Sequence, residues 1–190
     1  MESKKELTRD LLTASFRELL MKFPFDKITI KMITDGAGVI RPTFYKHFQD
    51  KYELIESIFQ TEISDKIQVL IDNNMEHEVL NLLCRCLEKD RTFYKKIYSI
   101  QGPNSFENLM ADYIYSVFLS LLNKYSFKAP SRLRVISKES VARFYTFSLA
   151  DSLKCWLLED IPYTSDELCE AYDYMIRNSI FDLVQYPSDK

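Results

Sequence analysis

Glycine is nearly absent from this sequence: three residues in 190, at positions 36, 38 and 102. Such a chain has little with which to build the tight turns of hairpins and β-sandwiches, and it has no glycine-rich phosphate loop. Histidine is scarce as well, with only His47 and His77. The four cysteines, at 84, 86, 155 and 169, show no metal-ligand spacing. They read as buried free thiols of a reducing compartment. The opening residues MESKKELTRD lack the apolar stretch of a signal peptide. The longest charge-free apolar stretch, Tyr113 to Asn123, is too short to span a bilayer. A cytoplasmic protein with no membrane association, no metal and no cofactor is expected.

What is present is aromatic and charged. Thirteen Phe and twelve Tyr stand in a chain that is 46% hydrophobic and 28% charged, which suits a globular protein of one domain or two small ones. The net charge of −3 is unevenly spread. Residues 1–55 hold ten basic and eight acidic residues, against fifteen and twenty in the remainder. A slightly basic N-terminal unit on an acidic body suits a phosphate-facing head.

Prolines 24, 42, 103, 130, 162 and 187 punctuate stretches of helical periodicity. Ser3-Lys4-Lys5-Glu6 is a capping-box pattern that opens a first helix carrying Leu12, Phe16, Leu19 and Phe23. Thr29 is a fitting N-cap for a short second helix, Ile30 to about Ala37. Gly36-Ala37-Gly38 makes a turn, and a third helix runs from about Pro42 to Phe48. A fourth begins near Lys51 and continues past Phe59. Longer helices follow at about 78–98, 105–124 and 138–159. A second capping box, Thr164 to Glu167, opens a last helix that reaches about Gln185. The expected fold is all-α.

Two short helices joined by a glycine turn are the sequence form of a helix-turn-helix. Phe44 and Phe48, four apart, share one face and anchor the third helix inward. That leaves Arg41, Thr43, Tyr45, Lys46 and His47 on the outer surface, with the chemistries that contact phosphates and base edges. Thr29 and Lys51, each at a helix start, are placed for further phosphates. Each residue alone has a plain packing explanation, but the set on one short helix after a glycine turn matches a recognition helix.

These residues resemble the tetracycline-repressor (TetR) family: Phe25, Thr29, Ile30, Ile33, Ala37-Gly38-Val39, Thr43 through Phe48, Lys51 and Leu54. The resemblance covers about residues 5–58. It implies a three-helix DNA-binding head at 1–50, a connecting fourth helix at 51–64, and a helical regulatory and dimerisation body at 65–190. It further implies a homodimer on double-stranded, palindromic operator DNA, acting most often as a repressor. Arg41 and Thr43 are then expected at base edges, and Thr29, Tyr45, His47 and Lys51 at phosphates. Lys46 suits either, and Pro42 pre-organises the helix start. Two positions depart from the family pattern: Ile40 stands where a capping hydroxyl is common, and Thr34 where alanine is usual.

The same resemblance places a dimer bundle on the last two helices, whose apolar residues exceed a single helical stripe. Phe147, Asp151, Cys155, Ala171, Tyr174, Met175 and Asn178 are the expected contacts. An effector pocket is expected among the body aromatics Tyr94, Tyr98, Tyr113, Phe118, Phe144 and Trp156. The stretch Phe93 to Tyr98 with the following Gly-Pro break is faintly similar to TetR-like activators of dihydroxyacetone-kinase operons, so a protein effector stands beside a small molecule. The competing readings are an all-α enzyme and a protein-interaction module built on the aromatic interior. An enzyme requires convergent nucleophile, base and orienting groups. His77 lies in a polar loop, and the carboxylate pairs Glu159-Asp160 and Asp166-Glu167 fall at helix ends, where solvation or capping accounts for them.

Overall fold

A computed structural model describes residues 4–130, 132–159 and 161–183. Ser3 of the first capping box, Asp160, Val184, Gln185 and Pro187 lie outside the described residues. Ten α-helices and no strand occur among the described residues.

The first helix, α1 (Lys4–Lys22), buries Leu12, Ser15, Phe16 and Leu20. Its inner row therefore runs 12–16–20 and not through Phe23, which is largely exposed. The chain leaves the helix at Pro24, and Phe25 takes the inner place, edge-on to Phe16 at 6.3 Å. Thr29 caps α2 (Ile30–Gly36), its Oγ1 accepting the Met32 N–H at 3.2 Å. Gly38 sits at φ +66°, in the left-handed region that glycine adopts at least cost. The following α3 (Arg41–Tyr45) is shorter than the 42–48 segment expected. Ile40 at its N-cap offers no side-chain acceptor. Pro42 reduces the need for one, because it removes a first-turn donor and presets φ.

Asp50 caps α4 (Lys51–Phe59) by accepting the Tyr52 and Glu53 N–H groups at 2.7 and 2.9 Å. A π-helical turn over Gln60–Ser64 links α4 to α5 (Asp65–Asp72). The single helix expected over 78–98 is in fact two, α6 (Val79–Lys89) and α7 (Arg91–Tyr98), parted at Asp90. Asp90 breaks the helix while its carboxylate engages Arg17 of α1. Then come α8 (Phe106–Lys124), capped by Ser105, and α9 (Lys138–Leu158), opened by a Ser137/Ser140 capping box. The Thr164/Glu167 box opens α10 (Ser165–Arg177) as the spacing predicts. That helix stops well short of Gln185: Asn178 is extended, and Asp182 accepts from the Ser179 hydroxyl and N–H.

One continuous apolar core runs from Leu12 through Phe44, Phe59, Tyr94 and Phe106 to Trp156 and Tyr172. Head and body meet at Arg17. Its guanidinium bonds Glu62 of the π-turn at 2.6 Å, pairs with Asp90, and lies 3.9 Å over the Phe93 ring. Tyr94 donates its hydroxyl to the same Glu62 at 3.0 Å. Lys96 of α7 donates to the Leu20 and Met21 carbonyls at the end of α1.

Close approach of α1 and α2 explains the other head glycine. A Cβ at Gly36 would collide with Ser15 Oγ, which itself donates to the Ile33 carbonyl at 2.8 Å. Gly36→Ala should therefore lower stability by about 1–3 kcal/mol. Adding Ser15→Ala should restore part of that loss, as a double-mutant cycle in urea will read. Strict additivity of the two changes would contradict the contact.

Candidate nucleic-acid interface

The core seats α3 through two rings. Phe44 is fully buried and Phe48 nearly so, with centroids 5.6 Å apart. With that face inward, Arg41, Pro42, Tyr45 and Lys46 are exposed, while Thr43 and His47 are half-buried. Arg41 donates to the Tyr45 hydroxyl at 3.1 Å, one helical turn on. The pair forms a cationic, aromatic ledge along the outer face of α3. Thr34, in the usual alanine place, is buried, its hydroxyl donating to the Lys31 carbonyl. The extra hydroxyl is thereby satisfied within α2.

His47 has its pKa lowered, first by burial and then by the positive charges of Lys5, Arg9 and Lys46. Four basic or potentially basic groups thus converge from α1 and the end of α3. An approaching phosphate relieves their mutual repulsion.

Lys51 is placed differently from the phosphate role the sequence suggests. Its ammonium donates to the Phe25 and Ile28 carbonyls, both at 2.8 Å, and sits 4.1 Å over the Phe25 ring. Burial lowers its pKa against the opposing pull of Asp26 and Asp50. It ties the start of α4 to the turn before α2, and so fixes the platform on which Thr29 stands. Asp50, the N-cap of α4, is a functional position the sequence signals only locally, as an Asp before Lys-Tyr-Glu.

The six aromatics expected around an effector do not converge. Tyr94, Tyr98 and Trp156 are packed solid in the core, and Trp156 Nε1 donates to the Tyr163 carbonyl at 2.8 Å. Phe144 lies on the outer face of α9, 69% exposed. Tyr113 and Phe118 do line a cavity of about 560 Å³ bounded by α5, α6, α8, α9 and α10. Its floor includes Leu80, Leu83, Ile114 and Leu149, and its mouth carries Glu76, Arg85, Asp166 and Glu170. These mouth residues come from three separate segments, the turn at Glu76, α6 and α10, so no local spacing in the sequence announces them.

Of the expected dimer contacts, Phe147 is 71% exposed on α9 and Asp151 is exposed one turn on, while Ala171, Tyr174 and Met175 are exposed on α10. Cys155 and Asn178 are half-buried. Together with Phe144, Ile180 and Phe181 they leave the outer sides of α9, of α10 and of the chain after it unusually apolar. Among the described residues no helix is long and apolar enough to cross a membrane.

Comparison with known proteins bears on this arrangement directly. Residues 12–58 match a family described as "Bacterial regulatory proteins, tetR family". Residues 73–178, more than half the chain, match "Transcriptional regulator C-terminal region" of the same family. The chain belongs to the TetR family: it is a DNA-binding transcriptional regulator and not an enzyme. A curated relative, the HTH-type dhaKLM operon transcriptional activator DhaS of Lactococcus lactis subsp. lactis (strain IL1403), is 30% identical over 97 residues. That match spans about half of each protein, 51% of this chain and 52% of the relative. The fold is similar to a solved dihydroxyacetone kinase operon activator DhaS, with a TM-score of 0.63 at 20% identity over 90% of this chain and 94% of that one. It is also similar to NalD, the secondary repressor of the MexAB-OprM multidrug efflux pump in Pseudomonas aeruginosa, with a TM-score of 0.62 at 19% identity over 90% and 95%.

The internal bonds of Lys51 carry a stability consequence. Lys51→Met leaves two half-buried carbonyls without their donor, which costs about 1–3 kcal/mol. Thermal melting followed by circular dichroism should show a fall in Tm of several degrees. An unchanged melting temperature would contradict the tether.

Proposed function

We propose that this regulator binds a palindromic operator as a homodimer and is released from it by an effector acting on the body. The observation that carries the reading is the exposed Arg41–Tyr45 ledge on a helix whose other face is locked by Phe44 and Phe48. On this reading residues 1–50 form the head, 51–64 connect it, and 65–190 regulate and dimerise. Arg41 and Thr43 reach base edges. Thr29, Tyr45 and His47 hold phosphates, and Lys46 serves either role. Pro42 presets the start of α3. Lys51 acts by holding the head rather than by a free phosphate contact.

Apolar exposure on α9, on α10 and just beyond it supports the homodimer, since such a patch is costly in water and a two-fold symmetric partner covers it. The cavity beneath Tyr113 and Phe118 supports an effector with an apolar body. Repression is the family's commoner mode. The activator reading is favoured by one observation, the 30% identity to the dhaKLM operon activator. A reporter fused to the bound promoter separates the two by the sign of its response when the regulator is deleted.

Selection of bound genomic fragments with the purified protein tests the reading, and should return an inverted repeat. On that sequence, Tyr45→Phe and His47→Gln should each lower affinity about tenfold, the loss of one phosphate or charge-assisted contact, with helical content unchanged. DNA raises the His47 pKa from its lowered free value, so the complex binds the extra proton. Affinity should therefore rise as pH falls from about 7.5 to about 5.5, and His47→Gln should flatten that rise. Equal pH dependence in both proteins would overturn the His47 assignment.

A further inference from the structure

Arg41 is the first residue of α3, and Tyr45 stands one turn later on the same side. Arg41 Nη2 donates to the Tyr45 hydroxyl at 3.1 Å, and the guanidinium carbon lies 5.6 Å from the centre of the Tyr45 ring. That ring packs edge-on against the buried Phe44 ring at 5.6 Å. The exposed guanidinium is thus referred to the core through two rings. Several other cations of the head are occupied: Lys31 pairs with Asp35, Arg9 Nε donates to the Ser57 hydroxyl, and Lys51 donates to two carbonyls. Among the described residues no carboxylate takes up Arg41.

One bond to Tyr45 leaves most of the fork open. Nη2 carries two protons, one on each two-donor edge of the guanidinium. Whichever edge Tyr45 uses, the other keeps both donors. Two parallel donors match the O6 and N7 acceptors that guanine shows in the major groove, the commonest specific contact of an arginine. Residues 41–48, RPTFYKHF, hold no Asn or Gln to pair with adenine and no Asp or Glu to accept from cytosine. Lys46 is a second cation there, but an ammonium on a flexible stem has no such fork. The Tyr45 oxygen accepts from Arg41 and keeps its own proton for a phosphate. Arginine has many rotamers, so holding it beforehand lowers the ordering cost of the base contact.

We propose, resting on α3 as the recognition helix, that Arg41 reads one guanine in each half of the operator and that Tyr45 is the positioning residue that aims it. A base contact and a phosphate contact differ in what their loss does. Loss of the first erases a preference at one base pair, while loss of the second weakens all sequences alike. Tyr45 takes part in both, through its acceptor lone pair toward Arg41 and its proton toward the backbone.

The test replaces each base pair of the selected inverted repeat in turn and measures the affinity of the full-length protein for the whole set at one salt concentration. The wild type should prefer guanine at one symmetric pair of positions by at least about tenfold over each other base. Arg41→Ala should reduce that preference to within about twofold and leave the preferences at other positions unchanged. Arg41→Lys keeps the charge without the fork, and should recover affinity but little of the preference. Tyr45→Phe keeps the ring and removes the acceptor. Beyond its uniform loss of affinity, it should cut the guanine preference about threefold at that position alone. A loss spread evenly over all sequences in Arg41→Ala, or a lost preference for a base other than guanine, would overturn the proposal. An even loss in Tyr45→Phe would overturn the positioning role. Absence of any guanine preference in the wild type would overturn both without recourse to a variant. Failure to select any repeat would contradict operator binding itself, and the guanine contact with it.

Discussion

The arrangement of head upon body depends on one guanidinium. Arg17, midway along the first helix, is the point where α1, the π-turn after α4 and the break between α6 and α7 come together. Individually such partly exposed ion pairs contribute little, about 1 kcal/mol or less. Their geometry matters more than their energy. A planar cation stacked on Phe93 and forked between two carboxylates fixes direction as well as distance. Tyr94 then binds the same Glu62, so a displacement of α7 is felt at the π-turn and at α1 together.

From that junction the exposed face of α3 follows in short steps. Arg17 holds α1, and α1 holds α2 through the Ser15–Ile33 bond and the close approach at Gly36. The turn at Gly38 aims α3, and Phe44 and Phe48 fix its rotation, which decides that Arg41, Tyr45 and Lys46 point outward. Lys51 and Lys96 tie the remaining ends by donating to backbone carbonyls. Lys51 of α4 and Lys96 of α7 thus act inside the protein, and Lys5, Arg9, Arg41 and Lys46 are exposed on the head.

The legible parts of this structure are those set by neighbours in sequence. The Thr29 cap, the Gly36–Gly38 turn, the Phe44/Phe48 face and the Thr164 capping box are local devices, and each reads directly from residue type and spacing. The break at Asp90 was not readable, because it coincides with an ion pair to a residue 73 positions away. Lys51 reads as a free cation for the same reason: its acceptors are carbonyls 23 and 26 positions upstream. Aromatic type alone did not say which ring would be solid core, as Trp156 is, and which would lie outside, as Phe144 does.

If Arg17 sets head position rather than DNA chemistry, its loss should affect DNA that needs two correctly placed heads far more than DNA that needs one. The most direct measurement compares Arg17→Met with the wild type on a full inverted repeat and on a single half-site. Affinity for the full repeat is predicted to fall at least about tenfold, while half-site affinity and helical content stay within about twofold. Equal losses on both DNAs, or no loss on either, would contradict the central place given to this junction.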